Sequence, residues 1–501
     1  MGAVLAMSLG SGRAAPAGRL ARPATGRVVV LARRLAPYCL LFAAAIVFVL
    51  FLLRLGSLLE NYPYLYSYGD DAAAVLGVLR ACEGKTLYPD FATDPNLYLF
   101  NFLFYEIYGF ATRVAVGCGP GVIVFARAIS TVLLAGMAAL LAVAARGARW
   151  PERIFIVSLP FSPIVGWWAF AIRPDIGGMV ALTGALLLFR RALSAERSRI
   201  SLALAAVAVV GAWAFKQPYI ALAPLMAAFA FRRSWLDTVI FCGTCAVLFG
   251  LIVAVVGSDA YWLQTVIVPA HHDFYAPIAL RNAAWALAKS SPILILCGTV
   301  IVAKLREGRL DEVDRFDFMA LAYGALVAAA TAGKIGAADY YYFPFYVTAM
   351  IVALRGLPHL VPDVRAAASV AAAVVMSVLC GAYLAGAAGS LGLPIDKALM
   401  TDGASQIRAA PRPKLVIGEY LTLPWISDNP EEALADYYTY AGRLVDVPNQ
   451  HAIVVEQQVK SGRFASIAAR RDVIDHFDMT DYRLQASVGE VQIWYRRDSA
   501  R

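Results

Sequence analysis

The sequence predicts a mainly α, polytopic helical membrane protein. It would have roughly eleven transmembrane helices, interfacial helices in the first outer loop and a small C-terminal soluble α/β domain. Three observations predict it. Hydrophobic residues make up 60% of the 501-residue chain and the mean hydropathy is +0.64, far above a soluble globular average. Long apolar runs recur between Pro37 and Ala388 and then stop. Once the runs are read as helices, the basic loops between them fall on one side.

A hydrocarbon core of ~30 Å needs about 20 apolar residues per helix. The candidate segments are Pro37–Leu53, Gly121–Ala145, Ile154–Ile172, Ile176–Phe189, Ile200–Phe215, Tyr219–Phe231, Leu236–Val256, Ala283–Ala303, Phe316–Ala332, Tyr342–Leu354 and Ala366–Ala388. Leu97–Val116 is also apolar, but it carries Asn101, Glu106 and Arg113. Such groups are expensive facing lipid and are accommodated by an amphipathic helix lying in the interface. With the N-terminus inside, the inside loops are the N-terminal tail, Arg146–Arg153, Arg190–Arg199, Arg232–Ser234, Lys304–Arg315 and Arg355–Arg365, each rich in arginine. The outside loops are Leu55–Pro120, Arg173–Asp175, Lys216–Pro218, Gly257–Asn282, Gly333–Tyr341 and everything after Gly389. Counting Leu97–Val116 as a span would put the later basic loops outside, so the charge pattern supports the interfacial reading. The expected location is a cell (inner) membrane, multi-pass, with the N-terminus cytoplasmic and the C-terminal domain extracytoplasmic.

The expected domains are a basic cytoplasmic tail (1–36), a transmembrane domain (37–390) whose first outer loop is 57–120, and the α/β domain (391–501). The tail carries Arg13, Arg19, Arg22, Arg27, Arg33 and Arg34 with no acid. It reads equally as a transit peptide or as a disordered tail, with Pro37–Leu53 kept as an anchor. In the last domain Lys414–Glu419 reads as a strand and Ala452–Lys460 as a helix. Tyr482–Ala486 and Val491–Tyr495 read as a hairpin around Gly489–Glu490.

The net charge of +9 is explained by cytoplasmic loops and does not call for a nucleic-acid partner. The seven cysteines form no metal or disulfide framework. Only Cys82 and Cys118 fall outside the membrane on the same side, where a disulfide and two thiols are equally open.

The orientation collects polar residues on one face: Asp70, Asp71, Arg173, Asp175, Lys216, Gln217, His271, His272, Asp273, Lys334 and Asp339, with the tyrosine run Tyr340–Tyr342. They sit at span ends, whereas a transporter places such residues near the midplane. Asp70 and Asp71 at a helix start point about 100° apart, so one can face a site while the other caps or binds a metal. A plain N-cap pair explains them as well. Asp175 suits the N-terminus of a helix through its dipole, and is also a second acid facing the site. Lys216 reads either as a headgroup-snorkelling lysine or as a cation for an anionic ligand such as phosphate. His271–His272–Asp273 has no known metal-ligand spacing and reads as a polar loop, with a divalent cation left open. Tyr340–Tyr342 most simply forms an aromatic belt. P-loop, GxSxG and HExxH motifs are absent, which removes local support for ATP-driven transport and for serine or zinc hydrolysis.

Taken together, five motifs resemble the GT-C superfamily of polytopic glycosyltransferases, which includes protein O-mannosyltransferases and lipid A aminoarabinose transferases. They are the Asp70–Asp71 pair, the Glu83–Asp90 turn (EGKTLYPD) with the aromatic segment after Asp94–Pro95, RPD at Arg173–Asp175, KQP at Lys216–Pro218 and YYYFP at Tyr340–Pro344. The chain departs from the family in having Asp-Asp where Asp-Glu is frequent, and only DPNLYLF where a Tyr-Pro-Pro-type motif is frequent. The resemblance implies inverting transfer of a sugar from a polyprenyl-phosphate-linked donor to an extracytoplasmic lipid, polysaccharide or protein. It implies Asp70 as general base, Asp71 or Asp175 orienting the acceptor or a divalent metal, and Arg173, Lys216, Gln217 and Lys334 at the donor phosphate. Tyr88, Tyr341, Tyr342, His271 and His272 would line the substrate cavity. Two other classes remain: a secondary transporter or flippase, which predicts charges inside spans and a repeat between halves, and a non-catalytic scaffold for envelope enzymes.

Overall fold

The computed structural model describes residues 24–60, 70–90, 97–119, 121–194, 198–308, 310–334, 336–386, 402–417, 433–435, 450–489 and 491–500. The chain opens with α1 (Ala24–Glu60), α2 (Asp70–Glu83), α3 (Phe102–Ala115), α4 (Val122–Ala144) and α5 (Trp150–Ser158). It continues through α6 (Asp175–Leu193), α7 (Arg199–Phe215), α8 (Ala223–Arg233), α9 (Trp235–Val256), α10 (Asp259–Trp262) and α11 (Val268–Ala270). Four further helices complete the bundle: α12 (Ala276–Glu307), α13 (Glu312–Thr331), α14 (Phe343–Gly356) and α15 (Pro362–Gly386). Polar side chains start several of them where the sequence requires it. Ser198, Ser234 and Asp311 accept hydrogen bonds from the backbone N–H three residues on.

Among the described residues six helices are long and apolar enough to cross a membrane, not roughly eleven: 29–57 within α1, α4, α6, α9, α12 and 362–385 within α15. The difference has a physical cause. Hydropathy sums composition and ignores breaks in the backbone. Ile154–Ile172 contains Pro160, Pro163 and Gly166 and folds as α5 followed by the 3₁₀ turns Leu159–Phe161 and Gly166–Phe170. Tyr219–Phe231 begins inside the 3₁₀ turn Gln217–Leu222 and only then becomes α8. α7 is apolar but 17 residues long, and α14 has 14. The chain is nonetheless a multi-pass membrane protein. α9 presents nearly its whole surface outward, with Val247, Leu251 and Val255 exposed, as a lipid-facing helix must.

One core runs through α1, α4 to α8 and α12 to α15. A second joins α2, α3 and the start of α4 to Ile172, Phe215 and Tyr261. α3 is the segment read as interfacial. Its Phe104, Tyr105, Tyr108 and Thr112 are buried, while Glu106, Phe110 and Arg113 are exposed. α2 meets it closely because Gly77 and Gly109 lack side chains: a Cβ on Gly77 would lie 2.2 Å from the Tyr105 ring, and one on Gly109 2.7 Å from the Cys82 backbone nitrogen. A Cys82–Cys118 disulfide closes the same unit.

The C-terminal region contains α16 (Ala404–Ala409), β1 (Lys414–Ile417), β2 (Ala433–Ala435), α17 (Gln450–Lys460), β3 (Ser466–Arg470), α18 (Arg471–Ile474), β4 (Tyr482–Val488) and β5 (Val491–Arg496). The sheet order is β2-β1-β3-β5-β4, with β1 parallel to β2 and β3 and the other pairs antiparallel. The expected first strand, helix and hairpin are present; β2 and β3 are additions. Alternation sorts the two faces. Leu415, Ile417, Ile467 and Ala469 turn toward Val455 and Val459 of α17. Val416, Ala468, Val491 and Ile493 join the core that contains α2, α3, Ile172 and Phe215. The domain therefore docks at the end of the bundle that carries Arg173 and Lys216.

Candidate active site

The site is built on the turn Arg173–Pro174–Asp175. Pro174 precedes α6 and Asp175 opens it. The next residues, Gly177 and Gly178, let α6 lie against the end of α7: a Cβ on Gly177 would come within 2.2 Å of the Phe215 ring, and one on Gly178 within 2.9 Å of Tyr219. That approach brings Lys216, the residue after α7, onto Asp175. Lys216 Nζ donates to Asp175 Oδ1 at 2.7 Å, and Arg173 Nε lies 3.3 Å from Oδ2. All three residues are at most 5% exposed. A carboxylate at such depth requires countercharge, and here two cations supply it.

Aromatic rings hold the cations. Arg173 Cζ stands 4.6 Å from the Trp168 ring centre and 4.2 Å from that of Tyr340; Lys216 Nζ stands 4.0 Å from the Tyr340 ring. Such contacts are worth up to about 2 kcal/mol when desolvated. A second carboxylate lies behind Tyr340. Asp339 accepts from Lys289 Nζ at 2.5 Å and from Trp168 Nε1 at 3.0 Å.

In front of the cations is a cavity of about 350 Å³. Arg173, Lys216, Gln217, His272, Lys334, Tyr340 and Tyr341 line it on the polar side, and Leu97, Leu99, Ile220, Val266 and Val327 are among its apolar wall. Lys334 donates to the carbonyls of Pro269 and Ala270 at 2.9 and 3.5 Å, and its partial burial lowers its pKa from the usual lysine value. Gln217 Nε2 donates to the carbonyls of Leu99 and Thr265 at 3.0 and 2.9 Å. Both amide protons are thereby used on the backbone, leaving an acceptor oxygen.

The surrounding loops are tied together by other amides. Gln264, in the π-helical turn Leu263–Ile267, accepts from Tyr98 N at 2.9 Å and donates to the Pro89 carbonyl at 2.9 Å. Asn101 donates to the Trp213 carbonyl and accepts from the Tyr261 hydroxyl. Asn282 donates to the Ala332 and Ala337 carbonyls, which fixes the loop bearing Lys334.

The structure thus gathers Arg173, Lys216, Gln217, Lys334, Tyr341 and His272 around one cavity. It places others elsewhere. Asp175 lies beneath the cations and does not line the cavity. Tyr88 is buried against Tyr261 and donates to the Phe100 carbonyl, because its ring is taken up in the core of the first loop. Tyr342 is buried in the bundle core, and His271 is exposed beside the Ile267 carbonyl. Asp70 and Asp71 begin α2, and their side chains lie outside the described residues. Among the described residues no group of three or more His, Cys, Asp or Glu is placed to hold a metal ion. Trp168 and Lys289 support the site without a sequence signal, since each sits in an apolar run that reads as a span; Phe100 and Thr265 line the cavity from segments read as outside the membrane but not singled out there.

No family model and no curated protein sequence matches the chain. Solved structures do. ArnT from Cupriavidus metallidurans, solved bound to undecaprenyl phosphate, matches with a TM-score of 0.61 over 94% of this chain and 98% of that one, at 12% identity. The same protein in its apo state gives 0.59 over the same shares at 13% identity. The Archaeoglobus fulgidus oligosaccharyltransferase in its apo form gives 0.50 over 87% of this chain and 69% of that one, at 13% identity. The likeness is one of fold, and the fold is GT-C-like.

Proposed function

We propose that the protein is a membrane glycosyltransferase that moves a sugar from a polyprenyl-phosphate-linked donor to an extracytoplasmic acceptor. The observation that carries this reading is the cavity in which Arg173, Lys216 and Lys334 face an apolar wall. A phosphate on a prenyl chain has that same division between charge and hydrocarbon. The fold shared with a protein solved with undecaprenyl phosphate bound supports the same reading.

The roles follow from chemistry. The acceptor hydroxyl attacks the anomeric carbon from the face opposite the phosphate, and Asp70 takes its proton. The bond from that carbon to the phosphate oxygen breaks as the new bond forms, with inversion. The leaving polyprenyl phosphate gains negative charge, which Arg173, Lys216 and Lys334 stabilise in place. Asp175 holds the first two cations at the cavity wall, where they need no reorganisation during reaction. Gln217 joins the first outer loop to the Thr265 segment and closes the wall, and Asp71 orients the acceptor or a divalent cation.

The test is transfer of label from a radiolabelled polyprenyl-phosphate sugar to acceptors in cell membranes by the purified protein. Free polyprenyl phosphate should appear with the labelled acceptor. Asp70→Asn should lower the rate by roughly 10²–10⁴-fold. Full activity in Asp70→Asn would remove that residue as the base, and absence of transfer by the wild type would remove the function.

A further inference from the structure

Lys289 is a lysine in the interior of α12, a helix apolar enough to span a membrane, and it is 7% exposed. It does not line the cavity. Its ammonium meets Asp339 Oδ2 at 2.5 Å, and the other oxygen of Asp339 accepts from Trp168 Nε1 at 3.0 Å. The Trp168 ring stands edge-on to Tyr340 at 4.8 Å, and the Arg173 guanidinium rests on both rings. Each member of this series is buried: Asp339 6%, Trp168 5%, Tyr340 5% and Arg173 1% exposed. The turn that carries Trp168 starts at Gly166 with φ +66°, and a Cβ there would meet the Tyr383 hydroxyl at 3.3 Å and Lys289 Nζ at 3.8 Å. The lysine is enclosed on that side as well.

We propose that Lys289 is a positioning residue for Arg173. Through Asp339 it fixes the indole of Trp168, and with it the aromatic seat that aims the guanidinium at the cavity. The physical requirement is plain. Arg173 has its Asp175 contact on one side and rings on the other, and a ring holds a cation where it is needed only if the ring cannot turn. An indole whose N–H is held by a buried carboxylate cannot turn without losing a charge-assisted hydrogen bond. Lys289 in turn supplies the countercharge that a carboxylate at such depth requires.

The inference rests on the proposed donor site, and its test separates the two. Two charge-balanced double variants differ only in the acceptor left for the indole. Lys289→Met with Asp339→Asn keeps a carbonyl oxygen for Trp168 Nε1; Lys289→Met with Asp339→Leu removes it. Full-length protein in detergent is titrated with farnesyl phosphate. Lys289→Met alone, which leaves Asp339 without its cation, should bind about tenfold more weakly, and the first double, which keeps a neutral acceptor for the indole, should bind like the wild type. The second should bind about tenfold more weakly, as expected when a charge-assisted hydrogen bond is misaligned. Trp168→Phe, which keeps a ring and loses the donor, should weaken binding in the same way. Equal, wild-type affinity in both doubles and in Trp168→Phe overturns the proposal, because a simple buried ion pair predicts that result.

A second readout needs no ligand. Modification of Arg173 by phenylglyoxal, followed by mass spectrometry of the folded protein, should be faster in the Leu double and in Trp168→Phe than in the Asn double. Faster modification with no farnesyl phosphate binding by any form supports the positioning role and rejects the donor site. Unchanged modification rates overturn the positioning role even if the wild type binds.

Discussion

The two ends of the bundle use charge differently. At the end carrying the basic loops, each described cluster is closed on itself. Arg365 forms a bidentate pair with Glu152, with Nε to Oε1 at 2.5 Å and a second contact between Nη2 and Oε2. Arg190 meets Asp317 at 3.2 Å, Arg355 meets Asp314 at 3.0 Å, and Lys304 meets Asp314 at 3.3 Å. These contacts join helix ends to one another, α5 to α15, and α13 to α6, α12 and α14. At the other end Asp175 and Asp339 also have their lysines, yet Arg173, Lys216 and Lys334 keep a face on a cavity. Countercharge at the first end completes the fold, whereas at the second it leaves cations facing a cavity, which the proposed function fills with a ligand.

Substitutions at the two ends should separate these roles. The largest effect should come from Lys216→Met, which leaves the buried Asp175 with Arg173 alone and removes a cavity cation. Removing one partner of a buried pair costs about 3–5 kcal/mol. Both the unfolding midpoint and the affinity for farnesyl phosphate should fall, the latter by at least about tenfold. Arg365→Met should cost a similar amount of stability, again about 3–5 kcal/mol, but leave farnesyl phosphate affinity of the folded protein unchanged. A loss of affinity there would erase the distinction between the two ends.

Gly177→Ala should act through packing, at about 1–3 kcal/mol by overpacking α6 against Phe215. It should also weaken ligand binding, since the close approach it opposes is the one that puts Asp175 on Lys216. The smallest effect is expected for Arg33→Ala. Arg33 pairs with Asp363, and both side chains are well exposed. Such a pair contributes about 0–1 kcal/mol, so neither thermal stability nor binding should move measurably.

Much of the site was legible in the sequence because its cations sit at breaks that the sequence marks. RPD sets two charges on either side of a proline and KQP sets Lys216 two residues before one, each between apolar runs, and both belong to one cluster in the structure. The sorting of loops by charge was legible for the same reason. The loops bearing Arg173, Lys216, His272 and Lys334, expected on one side, share the cavity, and the basic loops pair at the other end. Lys289 was not legible. One lysine within a long apolar helix reads as span, and its partner Asp339 is 50 residues away. Tyr88 was expected in the cavity through the family resemblance alone, while packing puts it in the core. The span count failed at Pro160, Pro163 and Gly166, where the composition is apolar but the backbone cannot continue a helix.

In the proposed function the cavity at the Arg173 end receives a lipid phosphate. The most direct measurement is a structure of the full chain in lipid with undecaprenyl phosphate added. The phosphate should lie within hydrogen-bonding distance of Lys334 and of Arg173 or Lys216, with the prenyl chain leaving along Ile220 and Val327. Phosphate density outside that cavity, or against the Arg190–Arg355 cluster at the opposite end, would contradict it.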